Sequence, residues 1–138
     1  MFAVANISCS SLKEYSSESK NAFMKLNGKI TIDSLAKFEL KVQRIKSADG
    51  EYLPNSEDFR VEIYDNELNL IFSSNFEQNY MMAIGKVEPV EVGETKNYAF
   101  EWNYLSNFSK QVSKGKYIAK LIIPAEPENY FVDIDFEI

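Results

Sequence analysis

Histidine is missing from all 138 residues, and cysteine occurs once, at position 9. Without histidine the usual ligand sets for zinc, haem and non-haem iron cannot be assembled, and every histidine-based triad or acid–base pair is excluded. With Cys9 alone there is no internal disulfide. No stretch approaches the roughly 18 apolar residues that would cross a bilayer as a helix. Helical periodicity is equally scarce: no window sustains apolar residues at i, i+3, i+4 and i+7, and only 109–114 could close a single turn. There is no internal repeat.

What is present is hydrophobic mass without a cofactor signature. The chain is 45% hydrophobic and 14% aromatic, enough for one core. A domain of this length buries roughly 68–70% of the surface its unfolded chain exposes, so neither metal nor disulfide is required for stability. The formal charge of −6 is unevenly spread. Residues 1–48 hold eight Lys/Arg against four Asp/Glu, whereas residues 49–138 hold seven against seventeen. An acidic body repels phosphate backbones, and Lys25, Lys29, Lys37, Lys41, Arg44 and Lys46 are dispersed as on a solvated strand face, so nucleic acid is not expected as a partner.

The first 22 residues read as a flexible segment ahead of a folded domain at 23–138. Met1 to Cys9 is an apolar, small-residue run ending at the cysteine, as the tail of a lipoprotein signal does. It lacks a basic segment in front, and Asn6 stands where an aliphatic residue is usual. Two readings follow: Cys9 is a lipidation site ahead of a serine-rich tether over 10–20, or the terminus is frayed and its cysteine incidental. The first places the protein in a bacterial cell envelope, with membrane contact only through Cys9; the second leaves it in the cytoplasm.

From Met24 onward the period is two, the signature of half-buried strands. Tyr130, Val132, Ile134, Phe136 and Ile138 alternate with Phe131, Asp133, Asp135 and Glu137. Phe38, Leu40 and Val42 form a second such set, Phe59, Val61 and Ile63 a third, and Tyr98, Phe100 and Trp102 a fourth. Around Tyr117, Ala119, Leu121 and Ile123 the intervening Ile118 and Ile122 are apolar too, which predicts a central strand. Asn27-Gly28, Asp33-Ser34, Asp49-Gly50 and Asp65-Asn66 read as turns, and Gly93 and Gly115 as strand entries. The expectation is all-β: an immunoglobulin-like antiparallel sandwich of seven to nine strands, with Trp102 between the sheets.

Residue chemistry offers little catalysis. Asp133 and Asp135 share one strand face, where alternating acids ordinarily keep a strand soluble. Asp65-Asn66-Glu67 lacks the ligand spacing of a calcium loop and suits a hairpin. The serines near the N-terminus have no base to activate them. No catalytic, metal or cofactor residue emerges, and the expectation is a non-enzymatic domain without a cofactor.

The order of residues between Phe59 and Tyr117 resembles the BsuPI-type intracellular proteinase inhibitor family. The matching elements are Phe59-Arg60-Val61-Glu62-Ile63-Tyr64-Asp65, Leu70-Ile71-Phe72-Ser73-Ser74, Val90-Glu91-Val92-Gly93-Glu94, Trp102, and Val112-Ser113-Lys114-Gly115-Lys116-Tyr117. Tyr80-Met81-Met82-Ala83 and Ser113 depart from the family pattern. The resemblance implies a sandwich that binds a protein, a serine protease among named members, and many relatives are surface or envelope domains. Exposed loops on a stiff scaffold are the natural contact elements. The candidates are 73–82, with Phe76, Tyr80, Met81 and Met82, and 104–114, with Tyr104, Leu105 and Phe108. Apolar loop residues also commonly cap a core, which is the alternative for each. The other function class is a lipid-tethered envelope domain with an adhesive or scaffolding role.

Overall fold

A computed structural model describes residues 12–138. The eight strands are β1 (Lys13–Lys20), β2 (Met24–Ile32), β3 (Ala36–Arg44), β4 (Arg60–Asp65), β5 (Leu70–Ser73), β6 (Thr95–Trp102), β7 (Lys116–Ile123) and β8 (Tyr130–Glu137). They form two antiparallel sheets, ordered β1-β2-β3-β6 and β5-β4-β7-β8. With β1 set aside, three strands face four, the immunoglobulin-type division. Tyr117 adds a hallmark of that fold. At the start of β7, its hydroxyl donates to the Ser113 carbonyl (2.5 Å) upstream, a tyrosine corner that fixes the β6–β7 crossover.

Alternation decides which side chains meet. On β8, Tyr130, Val132, Ile134 and Phe136 are buried while Phe131, Asp133, Asp135 and Glu137 face solvent. β7 lies between β4 and β8 as its two apolar faces predict, and Ile122 on the outer face is also buried. Between the sheets, Trp102 is tilted against Phe38, Phe72 and Tyr104 with ring centroids 5.4–6.3 Å apart. Truncating such a residue to alanine costs about 3–5 kcal/mol, so this contact is a principal source of stability.

Three expectations are corrected. The first 22 residues are not all flexible, because Lys13–Lys20 is an edge strand in continuous register with β2. Its period was hidden because two of its half-buried positions are serines, Ser17 opposite Gly28 and Ser19 opposite Leu26. Asn27-Gly28 is not a turn but the middle of β2. A Cβ at Gly28 would lie 2.7 Å from Ile134 Cδ1 and 3.0 Å from Val132 Cγ1, so glycine is there to let β8 approach. The same closeness brings Ser19 Oγ onto the Phe131 carbonyl (2.7 Å) and Tyr15 edge-on to Phe136. Third, 109–114 forms no helical turn; Gln111 instead bridges Leu105. Cys9 and Asn6 lie outside the described residues, and β1 begins four positions after the cysteine.

Arg44 departs from the solvated-face reading. It continues the inward parity of Ala36, Phe38, Leu40 and Val42, and is 2% exposed. Its Nε donates to Pro89 O (2.8 Å), its remaining nitrogens reach Lys46 O (3.3 Å) and Glu51 Oε2 (2.5 Å), and Tyr130 donates to the other Glu51 oxygen (2.5 Å). Burial, reinforced by that carboxylate, pushes the Tyr130 hydroxyl up to about 12. One buried cation thus ties 45–59 to 74–94 and, through Glu51, to the start of β8. Backbone bridges between Tyr52 and Glu126 and between Leu53 and Gly85 complete that end of the sandwich. The opposite end gathers 33–35, 66–69 and 103–115, where the Tyr104 hydroxyl donates to Asp33 O (2.6 Å).

Candidate functional site

The β5–β6 connection runs through residues 74–94 without a strand of its own. Loops of that length are uncommon in compact domains and usually functional. Its backbone is held at two places against the segment after β3. Ser56 N donates to Met81 O (2.9 Å) and Met81 N to Ser56 Oγ (2.8 Å); four residues on, Gly85 and Leu53 exchange N–H···O bonds of 2.9 Å in both directions. Between these pins, Pro54 and Asn55 stand opposite Met82, Ala83 and Ile84. The side with one residue more must arch outward, as at a β-bulge.

Side chains on that arch point into solvent. Met81 is 71% exposed, Met82 87% and Ile84 74%, and Ala83 between them is exposed as well. Further along the same connection Val90 and Val92 are exposed, while Val87 is buried and anchors the chain. Tyr80, just before the arch, is only half-buried, and burial raises its hydroxyl pKa. Beneath it, buried Glu57 accepts from Arg60 Nε (2.9 Å) and Nη2 (2.6 Å), a bidentate pair that fixes the supporting segment. The arch is therefore an apolar, convex element on a stiff base.

A second apolar group lies at the β5 edge. Phe76 and Phe108 meet edge to face with centroids 5.6 Å apart, which joins the two candidate loops. The clasp behind them is Asn107. Its backbone N donates to Ile71 O (3.2 Å), its Oδ1 accepts from Ser73 N (2.7 Å), and its Nδ2 donates to Ser73 O (3.1 Å). One amide side chain thus substitutes for a neighbouring strand and satisfies the edge of β5. Phe108, 77% exposed, stands beyond it.

The remaining candidates in this loop support rather than present. Tyr104 packs on Trp102, and Leu105 O accepts from Trp102 Nε1 (2.8 Å). Tyr104 (φ 65°) and Ser109 (φ 60°) hold left-handed backbone, a strained state for a bulky residue that its neighbours must enforce. Here the Asp33 and Trp102 contacts enforce it for Tyr104. The 65–69 hairpin is equally self-contained: Asp65 Oδ1 accepts from Glu67 N and Asn69 N (both 2.9 Å), and these donors lower the Asp65 pKa.

Of the sequence-derived candidates, Met81, Met82, Phe76 and Phe108 are exposed, whereas Tyr80, Tyr104 and Leu105 are partly covered. Ile84, Val90 and Val92 were missed, although each is an apolar residue in the same turn-rich stretch. The pins to Leu53 and Ser56 have no local sequence signal. Among the described residues, no group of three or more Cys, Asp or Glu is arranged to hold a metal ion. No family model matches this sequence, and no curated protein matches it either.

Proposed function

We propose that this is a non-catalytic protein-binding domain whose contact element is the arch Met81–Ile84. The observation that carries this reading is the combination of a backbone bonded on both flanks with three large apolar side chains left in water. Burying such a side chain contributes roughly 1.5–3 kcal/mol, so three supply several kcal/mol toward the roughly 8 kcal/mol of a micromolar complex. Pre-fixed backbone reduces the ordering entropy that binding would otherwise cost. Convex apolar spans enter clefts; a protease groove is one such cleft, and the resemblance to BsuPI-type inhibitors makes a serine protease the first partner to assay.

The test is stoichiometric titration of subtilisin-type proteases, including those of the source organism, with purified protein. Activity should fall in proportion to the protein added, and Met82→Asp should abolish the effect while leaving the circular dichroism spectrum unchanged. Absence of inhibition across the panel would reject the protease reading.

A further inference from the structure

Charge is distributed between the two ends of the sandwich in a way that bears on the partner. Three connections at the end of the sandwich that carries the arch, 45–59, 74–94 and 124–129, contain ten Asp/Glu and two Lys, a net of −8 against −6 for the whole chain. At the opposite end, 33–35, 66–69 and 103–115 contain two acids and two lysines. Acidity is therefore not a property of the surface at large. It is concentrated at the end of the sandwich that carries the exposed apolar span.

Two of the ten carboxylates, Glu51 and Glu57, are committed to Arg44 and Arg60, and Glu88 pairs with Lys96. Glu77, Glu91, Glu94 and Glu128 are exposed, and none has a cation within ion-pair distance among the described residues. Uncompensated like charges cost self-repulsion, and they steer an oppositely charged surface across a Debye length of about 8–10 Å. They also discriminate against anionic membranes and nucleic acids, which the same field repels.

Resting on the reading of Met81–Ile84 as a contact element, we propose that this end selects a protein surface in which an apolar recess is rimmed by lysine and arginine. Apolar side chains hold the complex; the carboxylate rim accelerates encounter and rejects acidic partners.

The experiment uses the full chain with two fluorescein-labelled peptides of equal length, one alternating lysine with leucine and one alternating glutamate with leucine. The lysine peptide should bind at least ten-fold more tightly. Reversal of the rim, Glu77→Lys with Glu91→Lys and Glu128→Lys, should weaken it at least ten-fold. Reversal of the same number of charges on the outer face of β8, Asp133→Lys with Asp135→Lys and Glu137→Lys, should weaken it less than three-fold. Equal losses in the two triple variants, or equal binding of the two peptides, would overturn the proposal. A separate arm tells its failure from failure of the reading beneath it: protease inhibition that still depends on Met82 keeps the contact element and discards only the charge selection.

Discussion

The two loops that flank β6 carry the same raw material and treat it in opposite ways. In 103–115 the Tyr104 ring packs on Trp102, the Leu105 carbonyl accepts from the Trp102 indole, and side-chain hydrogen bonds from Asn107 and Tyr104 hold the chain down. In 74–94 the backbone is what is held, at Met81, Gly85 and Pro89, and the side chains of Met81, Met82 and Ile84 are released. An apolar residue in a loop therefore does not declare its role by type. What decides is whether its side chain or its backbone forms the attachment.

The largest expected effect is at Glu51, which holds the cation under the 74–94 connection. Glu51→Ala leaves the Arg44 guanidinium buried without its counter-charge, and breaking a buried pair from one side costs about 3–5 kcal/mol. The loss, read by urea denaturation, should be accompanied by faster hydrogen exchange at Gly85 and Met81, because Arg44 also holds Pro89 of the same connection. Unchanged exchange there would mean that the pins stand independently of the buried cation.

A smaller effect is expected in the other loop. Asn107→Ala removes the donor and acceptor that serve Ser73 N and O, and the loss should be about 1–3 kcal/mol. Because the freed groups lie on an edge strand, sedimentation velocity should also reveal concentration-dependent self-association. Glu51→Ala should not produce that association, which separates the two modes of attachment.

The alkaline limb sharpens the contrast further. Tyr130 has its ionisation raised from 10.0 to about 12 by burial and the Glu51 hydrogen bond. The folded state then keeps a proton that the unfolded chain loses, so stability is full below pH 10 and falls as pH rises toward 12. The loss should be on the order of 1–2 kcal/mol, and Tyr130→Phe should flatten it. Burial likewise raises the Tyr98 hydroxyl, which leaves a residual slope in that variant.

Most of the fold was legible because alternation is a local signal. Phe38, Leu40 and Val42 announce β3, and the same parity carried two residues further would have placed Arg44 inside. β1 and the centre of β2 were not legible, since Gly28 answers to the nearness of Ile134 and Val132, and Ser19 to the Phe131 carbonyl, all more than a hundred positions away. The site divides in the same way. Exposed methionines could be suspected from their neighbours, whereas the partners of Met81 and Gly85 lie 25 and 32 positions upstream.

The smallest expected effect on stability is the one that bears most on function. Met81→Ser with Met82→Ser removes apolar surface that is already in water and breaks no backbone pin. Substitutions at such positions usually stay within about 0.5 kcal/mol, which for a domain of this size moves Tm by only about 2 °C. Binding should respond differently, because the same side chains lose their gain from burial only when a partner is present. The matching double change in the other loop, Tyr104→Ser with Leu105→Ser, should do the reverse: loss of the Tyr104 ring strips the cover from Trp102 and removes the bond to Asp33 O, lowers Tm clearly, and leaves partner affinity within a few-fold. If both pairs instead lowered Tm alike, Met81 and Met82 would be part of the core covering, and the difference between the two loops would be one of degree.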